Sequence, residues 1–279
     1  MVATGGFVAA PAVHAAMVDK VPLVVLNIDA VPGRANRFIS WRIGNRAAVL
    51  STFAQSQPYA AGWKAISPIV RSAARPAADA ATCREMLGLD RDRPVLMVTG
   101  GSLGAKSVND LVLQLLTTHA EVLRSARWQL LVQIGQESDE GPDRMATALA
   151  TAAIAAGVTL KTEPFVKQIG LWWGAATLCL SRAGAGAVAE AWASQTPTVF
   201  LPYPFHRDGH QAQNAAGLVA AGGAAVVTDT LNAAATLAEG TLLGLLADLN
   251  RCGAMRTALA KLGPVNGAEQ VAEAVQSAR

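Results

Sequence analysis

The feature that most constrains the fold is a regular alternation of short apolar runs with helical segments from Asp79 onward. Glycine turns follow several of these runs, and the stretches between them carry helical periodicity. Such an alternation is typical of βαβ units and a parallel sheet. The pattern therefore predicts an α/β domain with a six-stranded, doubly wound parallel sheet. The six runs lie at 94–98, 128–133, 158–160, 177–180, 198–201 and 224–227.

The chain before this pattern predicts part of a second domain. An apolar strand at 22–27 and a basic segment at 31–41 follow a short opening strand with a glycine turn. Two or three strands with two helices cannot bury a sheet on both faces. A proline-containing, non-periodic stretch at 67–75 suits a hinge near Arg71. The predicted organisation is a partial N-terminal domain at 1–70, a complete domain at 71–265, and a C-terminal helix at 266–279 that crosses back to the first domain.

Composition narrows the class of protein. Of the 279 residues, 52% are hydrophobic and 15% charged, which suits helices packed on a parallel sheet. The net charge of +3 is too small to indicate nucleic-acid binding. Cys83, Cys179 and Cys252 lack metal-ligand spacing and predict reduced core thiols. The sequence contains no long apolar run and no signal-peptide pattern, so we expect a soluble or peripheral membrane protein.

The strongest candidate for a ligand site lies at residues 177–214. A glycine-broken turn is predicted at 181–186, and the helix after it presents unpaired N–H groups and a positive dipole end, which suit an anion or a phosphate. Glu190 follows on this helix, where its carboxylate could accept two hydrogen bonds from a ribose diol. A solvated Glu on an amphipathic helix is the simpler alternative. The polar residues at 208–214 predict a loop that forms one wall of the site.

A second glycine turn follows the first strand of the predicted sheet, at 99–109. Its glycines leave the backbone bare where a helix begins, so N–H groups and the Ser102 hydroxyl could hold a phosphate. Two such helix starts in one sheet favour a diphosphate nucleotide. Residues 184–189 also match the GxGxxA dinucleotide pattern. A nicotinamide cofactor is disfavoured, because the next strand ends at Pro202 instead of an acidic residue.

These motifs resemble the donor-sugar signature of the MurG-type glycosyltransferases. SRAGAGAVAE and DGHQAQNA are similar to the family's RSGAxTxxE and DxHQxxNA, and GGSLGAKSVN is similar to its GGSQGAxxxN. Ala183 and Ala187 replace the Ser and Thr of the first pattern, and Leu103 replaces the Gln of the third. The first two replacements remove side-chain hydroxyls that the family could use.

The resemblance implies roles for particular residues. Glu190 would hold the ribose of UDP-N-acetylglucosamine, and His210 and Gln211 would hold the sugar hydroxyls. Arg71 stands where the family's GNPVR link ends and would face a phosphate, with a solvated linker Arg as the alternative. Phe165 belongs to a segment similar to the family's EFI, whose backbone reads the uracil. The implied donor-binding set is Arg71, Ser102, Gly104, Phe165, Gly184, Glu190, His210 and Gln211.

The N-terminal segment resembles the acceptor side of the same family. GGFVAAP is similar to the family's GGYVSGP, and the resemblance implies acceptor-side contacts from Gly6, Phe7 and Asn36. Where the family usually has HEQN, this chain has LNID. The family's GGTGGH loop, which carries its candidate general base, has no counterpart here. We therefore assign no catalytic residue, expect the base on a missing N-terminal segment, and expect His14 to be packed in an Ala-rich helix.

The resemblance implies a GT-B fold of two Rossmann-like domains, the first incomplete. It also implies an inverting glycosyltransferase without metal or cofactor, which transfers N-acetylglucosamine from UDP-N-acetylglucosamine to undecaprenyl-linked muramoyl-pentapeptide in peptidoglycan synthesis. The protein would work at the cytoplasmic face of the cell membrane, bound peripherally to its surface. Two alternatives stay open, a related glycosyltransferase that acts on diacylglycerol and a non-catalytic UDP-sugar-binding subunit. We expect the chain as given to bind the donor without transferring it.

Overall fold

A parallel β-sheet forms the centre of each of two units. The computed structural model describes residues 1–6, 8–44, 47–55, 58–101, 103–136, 142–205 and 209–278. Unit 1 comprises Met1–Val70 and Pro264–Arg279, and unit 2 comprises Arg71–Gly263. No helix in the described ranges is long and apolar enough to cross a lipid bilayer.

Strands and helices are each numbered in chain order. The described strands are β1 (Val2–Ala3), β2 (Val24–Asn27), β3 (Ala48–Ser51), β4 (Lys64–Ala65), β5 (Val95–Thr99), β6 (Gln129–Gln133), β7 (Thr159–Glu163), β8 (Leu178–Ser181), β9 (Thr198–Phe200) and β10 (Ala224–Val226). The described α-helices are α1 (Ala9–Val18), α2 (Arg34–Ile43), α3 (Ala80–Met86), α4 (Lys106–Thr118), α5 (Ala120–Ser125), α6 (Pro142–Ala156), α7 (Ile169–Ala175), α8 (Ala185–Ser194), α9 (His210–Ala220), α10 (Ala233–Ala238), α11 (Thr241–Ala247), α12 (Leu249–Ala260) and α13 (Gly267–Ser277). Short 3₁₀ helices lie at Pro58–Ala60 and Ser72–Ala74.

Unit 1 is built on a four-stranded parallel sheet in the order β1-β2-β3-β4. Successive side chains of β2 point to opposite faces, as in any strand. Val24 and Leu26 pack with Val271 and other residues of α13, whereas Val25 packs with apolar residues of α1 and α2. Both faces of the sheet are therefore covered by helices, which is why β2 is a continuous apolar run in the sequence. This corrects the expectation from residues 1–70 that the sheet could not be buried on both faces, because α13 supplies the cover that two helices lack.

Unit 2 is built on a six-stranded parallel sheet in the order β10-β9-β8-β5-β6-β7. The chain runs outward from β5 to β7, returns to β8 beside β5, and continues outward to β10, which is the doubly wound arrangement. The predicted α/β class and six-stranded doubly wound sheet are confirmed. The strand order reverses between β5 and β8, where Thr99 is level with Ser181. Open α/β sheets bind ligands at the carboxyl ends of strands at such a reversal.

The core of unit 2 is formed by both strands and helices. The buried face of α4 includes Val108, Leu111, Val112 and Leu115, which follow the i, i+3, i+4, i+7 spacing of an amphipathic helix. All three cysteines are buried, as predicted for core thiols. Burial raises the pKa of the Cys252 thiol to about 11.

Two local predictions from the sequence are wrong. Helix α8 begins at Ala185, so the turn after β8 ends at Gly184, whose extended backbone forms the N-cap, and Gly186 lies inside the helix. His14 is exposed instead of packed, because Val13 and Ala16 carry the buried face of α1. Helix α8 begins two residues earlier than the pattern predicted, whereas the phase of α1 turns His14 away from the buried face.

Candidate functional site

A cavity of about 1130 Å³ opens in unit 2, and the carboxyl ends of its central strands contribute to the lining. Thr99 of β5, Gln133 of β6 and Ser181 of β8 all line it. Thr99 donates a hydrogen bond to Gln133, with 2.7 Å between Oγ1 and Oε1. The cavity therefore occupies the position where the strand order reverses. Its volume is slightly above the range of about 300–1,000 Å³ that is typical of small-molecule sites and is large enough for a nucleotide sugar.

Helices α4 and α8 begin at this cavity without a side chain capping their N–H groups. The N-caps of α4 and α8 are Ala105 and Gly184, and neither makes a side-chain capping bond. In the same unit, α3, α10 and α12 are capped by the side chains of Asp79, Asn232 and Asp248, whereas α7 and α9, whose first turns also reach the cavity, lack a side-chain cap as well. Because the first N–H groups of a helix have no intrahelical acceptor, α4 and α8 offer donors and a positive dipole end to the cavity. Such a place suits an anion.

The glycines of the two turns serve different purposes. Gly104 has a φ of +86°, and a Cβ there would lie 2.6 Å from the carbonyl oxygen of Ile134, so the packing of two neighbouring turns requires glycine. A Cβ at Gly184 or Gly186 would meet no atom within 4 Å. The lack of side chains at these two positions therefore leaves open space, and both residues line the cavity. This is the arrangement expected where a ligand approaches the backbone.

Glu190 lines the cavity and is held by two donors. Its Oε1 is 3.1 Å from Nη2 of Arg71, and its Oε2 accepts a hydrogen bond of 2.9 Å from Nε1 of Trp173. The Glu190 side chain is 14% exposed, whereas that of Arg71 is 72% exposed. Glu190 is therefore not the solvated glutamate that the sequence left open as the simpler alternative. Both carboxylate oxygens have partners, and one of these partners comes from the core.

A buried charged cluster joins several loops beside the cavity. Nη1 of Arg182 lies 2.7 Å from Oδ2 of Asp229, and Nη2 donates to Oγ of Ser107 at 2.7 Å. The Ser107 hydroxyl in turn donates to Asp229, and Arg182 also donates to the carbonyl oxygen of Leu201. The side chains of Arg182 and Asp229 are 12% and 2% exposed. This cluster fixes the segments after β8, β9 and β10 to the start of α4.

His210 and Gln211 do not lie in a polar loop, which corrects the sequence prediction. They form the start of α9, after a glycine in the left-handed conformation. Gln211 lines the cavity, and its Oε1 accepts a hydrogen bond of 2.9 Å from the backbone N–H of Tyr203. His210 is not among the cavity-lining residues in the described part of the chain. Asn214 is buried and donates to the carbonyl oxygen of Ala183, so α9 is tied to the turn after β8.

Six of the predicted donor residues surround this one cavity: Arg71, Gly104, Phe165, Gly184, Glu190 and Gln211. Ser102 and Phe7 lie outside the described residues. Gly6 and Asn36 belong to unit 1. Gly6 is exposed there, whereas Asn36 is buried and donates to the carbonyl oxygen of Leu26 and to Oδ1 of Asn27.

Sequence reasoning missed three residues near the cavity. Arg182 directly follows the buried strand β8, and Asp229 lies three residues after the end of β10. A charged residue just after a strand is a signal that could have been used. Trp173 gave no signal, since its indole reaches Glu190 from a different helix. Each of these three residues contacts a partner on another element, and spacing along the sequence does not show which elements pack together.

The two parallel sheets of four and six strands, with a cavity at the strand-order reversal of the larger, define an α/β protein of the GT-B type. The model of the "Glycosyltransferase family 28 C-terminal domain" matches residues 95–271. The chain belongs to this glycosyltransferase family.

Relatives with similarity along the whole chain carry one shared name. A protein of Clavibacter michiganensis is 36% identical over 294 residues, which cover 100% of this chain and 71% of the relative. A protein of a Nocardioides species is 35% identical over 277 residues, covering 99% and 71%. Both are named UDP-N-acetylglucosamine–N-acetylmuramyl-(pentapeptide) pyrophosphoryl-undecaprenol N-acetylglucosamine transferase. The chain therefore spans about seven tenths of the length of these relatives.

Solved structures agree with this assignment. The crystal structure of Acinetobacter baumannii MurG matches with a TM-score of 0.73 and 25% identity, covering 99% of this chain and 72% of that one. The UDP-GlcNAc 2-epimerase of Neisseria meningitidis matches with a TM-score of 0.62 and 12% identity over 98% of this chain and 74% of that one, which shows a shared fold alone. The predicted resemblance to the MurG-type glycosyltransferases is confirmed.

Proposed function

We propose that the protein functions in the transfer of N-acetylglucosamine from UDP-N-acetylglucosamine to undecaprenyl-linked muramoyl-pentapeptide, the reaction in the names of its relatives, and that this chain supplies the donor site. The observation that carries this proposal is one cavity that combines two uncapped helix starts with the carboxylate of Glu190. Uncapped helix starts suit a diphosphate, and a fixed carboxylate suits a ribose diol. A nucleoside diphosphate sugar requires both.

The donor would lie along the cavity in a definite direction. Its diphosphate would accept hydrogen bonds from the N–H groups at the starts of α4 and α8, and its ribose would bind Glu190. Gln211 would contact the sugar, because an amide can both donate to and accept from neighbouring hydroxyls. The segment of Phe165, which is half exposed at the cavity, would face the uracil.

In the reaction, an acceptor hydroxyl oxygen forms a bond to the anomeric carbon while the bond from that carbon to the diphosphate oxygen breaks. The hydroxyl proton passes to a general base, for which we assign no residue. UDP leaves with the bonding electrons and gains negative charge. Helix N–H groups that point at the diphosphate would stabilise this charge, and stabilisation of developing charge is a major source of catalysis.

We propose further that the protein works as a peripheral protein at the cytoplasmic face of the membrane, since its acceptor would be lipid-linked. In unit 1, α2 buries one face and exposes Arg34, Arg37, Phe38, Trp41 and Arg42 on the other. Aromatic and basic side chains on one helix face favour binding to anionic lipid surfaces. Sedimentation with phosphatidylglycerol vesicles should decrease when Trp41 and Arg42 are replaced by alanine. Equal sedimentation of the two proteins would contradict this part of the proposal.

Calorimetric titration with UDP-N-acetylglucosamine tests the donor site. Glu190→Ala should remove a charge-assisted contact of about 1.5–3 kcal/mol and weaken binding roughly ten- to hundredfold. Glu121→Ala is a matched control, because Glu121 also pairs with an arginine but is 79% exposed on α5. Unchanged affinity in Glu190→Ala would refute the site. Transfer assays with muramoyl-pentapeptide lipid and with diacylglycerol compare the proposed acceptor with the alternative, and transfer to either lipid by this chain would contradict the expectation that it binds the donor without transferring it.

A further inference from the structure

The two partners of Glu190 differ in how firmly they can hold it. Trp173 is 1% exposed, and Thr196 anchors its backbone by donating to its carbonyl oxygen at 3.3 Å. The indole N–H therefore has a fixed position in the core. Arg71 has a long side chain that is mostly exposed, and exposed ion pairs are weak because water and salt screen them. Trp173 is thus the fixed partner and Arg71 the exchangeable one.

The geometry leaves room for a ligand to share the carboxylate. A carboxylate oxygen can accept more than one hydrogen bond, so Oε2 can bind the indole N–H and one hydroxyl together. Oε1 becomes available to a second hydroxyl when the exposed Arg71 moves aside. Two hydroxyls on adjacent carbons could then bind one carboxylate, with Trp173 still in contact. Trp173 approaches Glu190 from α7, and it is not among the described residues that line the cavity.

We propose that Trp173 is a positioning residue, whose indole N–H holds Glu190 in the orientation that binds both ribose hydroxyls of a nucleoside diphosphate. The inference rests on the proposed function, in which Glu190 binds ribose. A free glutamate side chain samples several rotamers and loses that freedom on binding. A carboxylate that is already oriented in the empty site avoids most of this cost, and only a ligand with both hydroxyls benefits fully.

The test compares the affinities for UDP and 2′-deoxy-UDP, because their ratio reports contact with the ribose diol. Wild-type protein should prefer UDP by about tenfold, and Glu190→Ala should lose most of this preference. Trp173→Phe should lower the preference about threefold or more, since the carboxylate remains but is no longer oriented. In the Glu190→Ala background, Trp173→Phe should not change the ratio further.

Trp192→Phe is the matched control. Trp192 lies on α8 with Glu190 and also donates its indole N–H, at 3.0 Å to the carbonyl oxygen of Gly263. This variant loses an indole hydrogen bond on the same helix, yet it should keep the wild-type ratio. If Trp173→Phe loosens the core, benzothienylalanine in place of Trp173 keeps the ring size and removes only the N–H donor. Thermal unfolding checks that each variant is folded.

The outcomes separate the inference from the proposed function. A wild-type ratio in both Trp173→Phe and the benzothienylalanine variant would overturn the inference, because packing alone would then explain Trp173. A wild-type ratio in Glu190→Ala would refute the ribose assignment itself, and the role of Trp173 with it. A reduced ratio in the two Trp173 variants, with an unchanged ratio in Trp192→Phe, supports the positioning role.

Discussion

Asp229→Asn should strongly destabilise unit 2, because it leaves the buried guanidinium of Arg182 without a counter-charge. Asp229 is 2% exposed and lies 2.7 Å from Arg182. The amide keeps the size of the side chain, so the substitution changes mainly charge and hydrogen bonding. Breaking a buried ion pair by removing one partner costs about 3–5 kcal/mol, since the remaining charge stays desolvated. The same substitution at an exposed pair should cost less than about 1 kcal/mol.

The expected change is large enough to measure by thermal unfolding. For a domain of about 150–250 residues, 1 kcal/mol shifts Tm by about 2–4 °C, so Asp229→Asn should lower the Tm of unit 2 by roughly 6–20 °C. Asp110→Asn is the matched control. Asp110 lies at the same 2.7 Å from Lys106, but their side chains are 36% and 56% exposed. Its Tm should stay within a few degrees of the wild-type value.

A double variant tests whether the expected loss of stability comes from the unpaired buried charge. Arg182→Met with Asp229→Leu removes both charges and replaces them with apolar side chains, which is often neutral for a buried pair. The double variant should therefore recover much of the stability that Asp229→Asn loses. If Asp229→Asn and Asp110→Asn gave the same Tm, the burial argument would be refuted.

Two further predictions follow from the glycines and the thiols. Gly186→Ala should stabilise α8 by about 0.5 kcal/mol, because alanine favours the helical state more than glycine does. The same substitution should weaken UDP binding, because the methyl group would enter the cavity. Unfolding measures the stability and titration measures the affinity, and tighter UDP binding would contradict the prediction. Burial raises the pKa of Cys252 from 9.0 to about 11, so the stability contributed by the neutral thiol is present below pH 9 and is lost as pH rises towards 11. Wild-type protein should lose more stability over that interval than Cys252→Ala, as measured by urea midpoints; parallel curves would exclude the effect.

The sequence by itself determined the strands of unit 2 and the approximate places where the helices beside the cavity begin. Apolar runs and glycine turns are local signals, since a strand buried on both faces must be apolar and a tight turn needs a residue without Cβ. The residue pattern alone therefore places Gly184 and Gly104 near helix starts. Because these signals are local, they do not fix the first residue of a helix. A helix that begins at Ala185 and one that begins two residues later have nearly the same sequence pattern.

Only the tertiary structure decided which side chains meet. The sequence spacing places Glu190 on α8, yet its partners Trp173 and Arg71 come from α7 and from the start of unit 2. Arg182 and Asp229 are likewise brought together by the order of the strands, which places β8 and β10 on either side of β9. Periodicity reports the face on which a residue lies, whereas contacts depend on which elements pack together. The orientation of the carboxylate in the cavity is therefore a property of the folded sheet and its helices.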